Sequence, residues 1–230
     1  MTSSQNPSDL PTAGKSHRWQ KACACILVLW FVSTSLLSTT WFRAWLSYPL
    51  HVSNMTDKAD MVYVMSGGHA YWERLRAASD LYHGGQIQQV AIKQDSAISQ
   101  YDFVLKRSQS RQQRAIRYLV ALGVPENCIV TVTASGEPGL ESEPGLESES
   151  MLGSWWEAQA FAAEFPLTPH VVVSTSSPHT RRSLLCFKRA MPASCKVSVY
   201  AASRPEHGAE LFNPIWLEYG KLAVYWLVAR

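Results

Sequence analysis

Five short apolar runs, each separated from the next by a stretch of helical character, constrain this chain more than any other feature. The runs Met61–Ser66, Gln88–Lys93, Cys128–Thr133, His170–Thr175 and Cys195–Tyr200 have strand length and apolar, mostly β-branched cores. Between the first two, Ala70–His83 reads as a helix closed by Gly84-Gly85. Ser108–Leu122 reads as a second, stopped by Gly123 with Pro125 beyond. Ser154-Trp-Trp-Glu157 has the form of a capping box that opens a third, running to about Phe165. Pro178–Met191 is a fourth, and Asn213–Val228, with Pro214 in its first turn, is the last. Strands alternating with helices must pair in parallel through crossovers. The expected fold is therefore α/β, a doubly wound, mostly parallel five-stranded sheet covered on both faces.

Ahead of this domain stands a segment of different character. Residues 1–21 are polar and carry Lys15, Arg18 and Lys21, whereas Ala22–Phe42 contains 21 residues without a charge. At about 1.5 Å per residue such a helix crosses a hydrocarbon core of about 30 Å. Trp41 and Trp45, with Arg43 between them, fall where an interfacial belt belongs. Ser33, Thr34, Ser35, Ser38, Thr39 and Thr40 are tolerable there if their hydroxyls bond back to helix carbonyls. A cleaved signal peptide is the competing reading, but the tail is long and no small-x-small site ends the run. The expectation is a retained transmembrane helix at 22–42, a cytoplasmic tail at 1–21, a linker at 43–58 and the α/β domain at 59–230. Basic residues before the span place the domain outside the plasma membrane, in the periplasm of a Gram-negative cell.

Composition narrows the functions. Charged residues make up 17% of the chain and nine are Trp, which leans towards membrane association. The net charge is +3, yet 134–153 holds five Glu and no Lys or Arg, leaving about +8 for the remainder. That attracts anions modestly. Without basic–aromatic interleaving or finger spacing, nucleic acid is not an expected partner. The five Cys show no CxxC pair and no Cys/His spacing, so no metal site is expected. Cys186 and Cys195 read as buried thiols, or as a disulfide if the domain faces an oxidising compartment. Residues 137–142 and 143–148 are both EPGLES, an acidic tandem repeat read as a lengthened surface loop.

Ligands of a doubly wound sheet bind at the carboxyl ends of its strands, and three segments meet that condition. Gly67-Gly68 follow the first strand, where backbone can approach a ligand closely. SGGHAYWERL lacks the third glycine of a dinucleotide fingerprint, and no cofactor is assigned. Lys93 and Asp95 follow the second strand and could contact a polar ligand. The third segment is VVVSTSSPHTRR, Val171 to Arg182. It brings Ser174, Thr175 and Ser176 to a strand end, Ser177 to a cap position, and His179 and Arg182 to one face of a helix start. A helix N-terminus with cations and an imidazole binds anions or does acid–base work. A capped helix with a solvated Arg pair is the plain alternative. Arg107, Arg111 and Arg114 follow helical spacing and read as an ordinary solvent face in preference to a basic stripe towards membrane headgroups. The last helix, with Trp216, Tyr219, Leu222, Tyr225 and Trp226, is apolar enough to touch the bilayer but is expected to pack on the sheet.

In order, the motifs SGG, an Arg-rich helix ending LYHGG, LGVP, SWWEA, VVVSTSSPHTRR and LEYGKLAVY resemble the envelope-protein family named after SanA, ElyC and YdcF. The likeness covers about 59–230 and implies a small Rossmann-like domain behind one membrane anchor, with a role in cell-wall or envelope maintenance. The family's hydroxyl, His and Arg positions fall on Thr175, His179, Arg181 and Arg182 and its acidic residue on Glu157, while SGG, Arg74, the SWWEA box and the Glu218–Lys221 pair match moderately. Gln94-Asp95 stand where a glycine is usual. The strand-end reading and the resemblance taken together give His179 and Glu157 as catalytic candidates. Gly67, Gly68, Arg74, Asp95, Thr175, Ser176, Arg181 and Arg182 would contact a small anionic or lipid-linked ligand. A non-catalytic module with protein partners of unknown identity is the alternative.

Overall fold

The structure, a computed structural model, describes residues 14–103, 105–133, 152–204 and 215–228. The acidic repeat at 137–148 and the residues Asn213 and Pro214 lie outside these. The chain divides into two units, Met1–Arg43 and Ala44–Arg230.

The first unit is dominated by α1, Gly14–Ser38, whose stretch Trp19–Ser38 is 20 residues long and apolar enough to cross a membrane. The helix breaks at Thr39, so the apolar span ends four residues before the expected Phe42. Its hydroxyls bond back as the span requires. Ser33 and Thr34 Oγ donate to the Trp30 carbonyl at 2.9 and 2.8 Å, and Ser38 Oγ donates to the Ser35 carbonyl at 2.7 Å. A short helix α2, Thr40–Ser47, follows.

The second unit holds a five-stranded, all-parallel sheet. Its strands are β1 (Met61–Val64), β2 (Gln89–Lys93), β5 (Ile129–Val132), β6 (His170–Thr175) and β7 (Lys196–Ala201), in the order β5-β2-β1-β6-β7. Alternate residues of β1 face opposite layers. Val62 and Val64 pack with α3 (Tyr71–His83) and α4 (Arg111–Ala121) through Leu75, Ala78, Ala115 and Leu119. Met61, Tyr63 and Met65 pack with α5 (Gly153–Glu164), α6 (Thr180–Ala190) and α7 (Ile215–Val228) through Phe161, Phe187 and Tyr225. β1 and the central part of β6 are buried on both faces, which is why they read as unbroken apolar runs. The expected α/β, doubly wound, Rossmann-like sheet behind one N-terminal apolar helix is the fold observed.

Several local expectations are corrected. The stretch 94–110 contains an antiparallel hairpin, β3 (Ile98–Asp102) with β4 (Arg107–Ser110), where no strand was expected. Helix α4 therefore starts at Arg111 instead of Ser108. Its N-cap is Ser110, in a true capping box with Gln113. The box expected at Ser154–Glu157 does not form, because Leu152 occupies that N-cap and Glu157 bonds elsewhere. Residues 47–58, expected as a linker, lie on the domain. Leu50 is buried, Val52 N–H donates to Thr180 Oγ1 at 2.8 Å, and Asn54 exchanges bonds with Val199. All five cysteines are free thiols, so Cys186 and Cys195 are not bridged. Burial pushes the Cys186 thiol up to about 12.

Candidate functional site

Strand order reverses between β1 and β6. The chain leaving β1 runs to α3 on one face of the sheet, while the chain leaving β6 runs to α6 on the other. Loops that diverge this way open a crevice at the strand ends, where doubly wound sheets take their ligands.

One wall of the crevice is the turn Ser66-Gly67-Gly68. Gly67 and Gly68 adopt φ of 81° and 73°, a region that L side chains enter at a cost of roughly 1–2 kcal/mol each. Two buried side chains hold the turn in shape. Glu157, from α5, accepts from Tyr63 Oη at 2.9 Å, from Ser66 N–H at 3.0 Å and from Ser66 Oγ at 2.6 Å. Arg74, from the first turn of α3, donates through Nη1 to the carbonyls of Met65, Ser66 and Gly67 at 3.1–3.2 Å. In a trans peptide each N–H points opposite to the preceding carbonyl. Gathering those carbonyls on Arg74 turns the N–H groups of Gly67 and Gly68 the other way. Among the described residues neither meets an acceptor.

Arg74 also donates through Nε to Ser176 Oγ at 3.0 Å, tying the first loop to the second. There β6 ends in Ser174 and Thr175 and runs on into Ser176 and Ser177, all four fully buried. A 3₁₀ turn, Ser177–His179, then leads into α6. Its N-cap position is Ser176 rather than the expected Ser177, and no side chain caps it. The hydroxyls serve tertiary contacts instead. Ser174 Oγ donates to the Arg74 carbonyl at 3.1 Å, and Ser177 Oγ lies 2.8 Å from His51 Nδ1.

Beyond the turn sits a charged cluster built on Glu218 of α7. His179 Nδ1 lies 2.8 Å from Glu218 Oε2, Arg182 Nη2 3.2 Å from the same oxygen, and Lys221 Nζ 3.1 Å from Oε1. Burial alone would raise the Glu218 carboxyl. The hydrogen bond and charge of His179, with Arg182 and Lys221, outweigh it and hold the group at about 2. An ionised carboxylate only accepts, so the proton of this contact is on His179 Nδ1. For Arg182, burial opposes the cation, but Glu218 first and then Tyr225 keep it charged. Its Nη1 donates to Ser154 Oγ at 3.0 Å. Ser154 and Glu157 are one helical turn apart, so α5 braces the charged cluster and the glycine turn together.

The expected site residues thus divide. Gly67, Gly68, Glu157, Arg74, Thr175, Ser176, His179 and Arg182 all lie at the carboxyl edge of β1 and β6. Of these, Arg74 and Glu157 face inward as clamps, with bonds directed to backbone and neighbouring hydroxyls. Thr175 is buried, its carbonyl accepting from Ala202 N–H. Arg181 is exposed on the outer face of α6, away from the cluster. Asp95 stands beyond β2, where it accepts from Ala97 N–H and lies 3.8 Å from Arg111 Nε. Glu218 was missed as the partner of His179. The signal available was two charges, Glu218 and Lys221, in a helix otherwise without any. Among the described residues no His/Cys/Asp/Glu group could hold a metal ion. No family model and no curated protein matches the chain.

Proposed function

We propose that this is a membrane-anchored envelope protein whose α/β domain binds an anionic, phosphate-bearing or lipid-linked ligand in the crevice between β1 and β6. The observation that carries the reading is the convergence, at one strand edge, of outward-turned glycine N–H groups, a helix start and a His–Glu–Arg cluster. Backbone donors at a helix entrance suit phosphate oxygens. His179 is the acid–base candidate, its imidazole oriented through Nδ1 by Glu218. The apolar span Trp19–Ser38, behind Lys15 and Arg18, supports a cytoplasmic N-terminus with the domain on the periplasmic side. The motif order shared with the SanA, ElyC and YdcF proteins supports a role in cell-wall or envelope maintenance.

A second reading has an observation of its own. Arg182 is paired with Glu218 and Ser154, as a purely structural cation would be, which fits a non-catalytic binding or regulatory module. The deciding experiment is mass spectrometry of what the full chain, purified in mild detergent, carries out of the membrane. A phosphorus-bearing molecule is expected with the wild type and lost in His179→Ala. Wild-type protein that emerges empty and gains no thermal stability from millimolar pyrophosphate overturns the anion site.

A further inference from the structure

Helix α7 is inverted relative to an ordinary surface helix. Its inward face carries Ile215, Glu218 and Tyr225, and both of its charges, Glu218 and Lys221, belong to the cluster around His179. Its outward face is apolar. Trp216, Leu217, Trp226 and Leu227 are each more than half exposed. Trp216, Gly220, Ala223 and Leu227 recur at the i, i+4, i+7, i+11 spacing of one helical stripe, with no charge among them. A patch of this kind marks a surface that is covered in use.

What covers it is indicated by the neighbouring chain. Tyr219 Oη donates to the Leu46 carbonyl at 2.7 Å, so α7 lies beside the segment that carries the exposed aromatics Trp45 and Tyr48. Leu46 is eight residues from Ser38, the last residue of the apolar span. Even fully extended, eight residues reach less than about 29 Å. With the span in a bilayer, Leu46 and the helix bonded to it stay within that distance of the lipid surface. Tryptophan and tyrosine are the residues that settle at that interface. At 14 residues α7 is too short to cross a hydrocarbon core, which needs about 20.

We infer that α7 is an in-plane membrane helix, its Trp216–Leu227 stripe seated in the interfacial layer of the bilayer that holds the anchor. This rests on the retained anchor proposed above. The domain then meets the membrane twice, once through α1 and once through α7. Because the opposite face of α7 presents Glu218 to His179, the crevice opens close to the headgroups, and a lipid-linked phosphate reaches it without leaving the bilayer.

The test uses the full chain in vesicles of phosphatidylcholine and phosphatidylglycerol containing a lipid with a photoactivatable acyl chain. Labelled peptides are mapped by mass spectrometry. Labels on both 19–38 and 215–228 are expected, with those on 215–228 lost in Leu217→Glu/Leu227→Glu while those on 19–38 persist. Labelling confined to 19–38 overturns the inference, as do cross-links joining α7 of two copies with no lipid attached. Wild-type labelling decides even if the double variant misfolds. Labels absent from 19–38 would instead defeat the anchored reading, so the two fail separately.

Discussion

Replacing Glu218 by Gln is the most informative single change, because the surroundings of this carboxylate set its effect in advance. The side chain is almost fully buried and faces His179, Arg182 and Lys221 within 3.2 Å. Burial raises its pKa, but these partners bring it down from the ordinary 4.5 to about 2. At about 1.4 kcal/mol per pKa unit, the carboxylate contributes roughly 3 kcal/mol to the folded state at neutral pH. The folded value lies below the unfolded one, so that contribution is complete above about pH 5 and drains away as pH falls towards about 2. Urea unfolding of the full chain in mild detergent, followed by tryptophan fluorescence, is expected to show Glu218→Gln weaker by about 3 kcal/mol at neutral pH, with the two proteins converging in acid. Taking the difference between them removes the titration of other carboxylates. A gap of the same size at every pH would mean that packing, not charge, is lost. A neutral-pH gap below about 1 kcal/mol, the range of an exposed ion pair, would refute the buried cluster itself.

Three further outcomes follow from the same structure. Glu157→Ala orphans the buried Tyr63 hydroxyl and is expected to cost about 2 kcal/mol in thermal unfolding; Glu157→Gln, which keeps an acceptor, should cost clearly less. Equal losses would show that the hydrogen bonds to the glycine turn do not matter. Gly67→Ala, at a φ of 81°, should destabilise by about 1 kcal/mol and Gly67→Asn by less, so an alanine variant as stable as wild type would contradict the turn described. Cys186, with its thiol pushed up to about 12 by burial, should resist iodoacetamide at mildly alkaline pH until the chain is denatured. Alkylation of Cys186 in the native protein would show that this side of the core is open.

The sheet was legible because its strands are the simplest kind of sequence signal. His170–Thr175, fully buried, reads as a strand from its β-branched run alone, and the structure gives it the same bounds. Local capping chemistry was harder to read. Ser110-x-x-Gln113 and Ser154-x-x-Glu157 carry the same pattern, and only the first forms a capping box. The difference lies in what else is within reach. Ser110 and Gln113 are near the surface and bond to their own helix end. Glu157 lies in the interior, where the orphan donors of Tyr63 and Ser66 claim it. The hairpin β3–β4 escaped notice because QYDF and KRSQS are too polar and lack the alternation by which a half-buried strand is recognised.

The site divides along the same line. Its two loops could be placed from sequence because a strand followed by SGG and a strand followed by SSPH mark positions along the chain, and a doubly wound sheet brings their ends together. The partner of His179 could not be placed so. Glu218 is 39 residues away on another helix, and the intervening chain gives no period that links them. What the sequence does contain is an energetic anomaly, two charges three residues apart in a helix with no other charge. A buried carboxylate of that sort must be compensated. The cations able to do it, at the start of α6, were already in view as Arg181 and Arg182. Of the two, Arg182 is three residues from His179 and so shares its face, and it is Arg182 that turns inward to Glu218 while Arg181 remains in solvent. The pairing follows once an apolar helix bearing Glu and Lys is treated as a demand for partners, instead of as a sheet-packing helix that tolerates them.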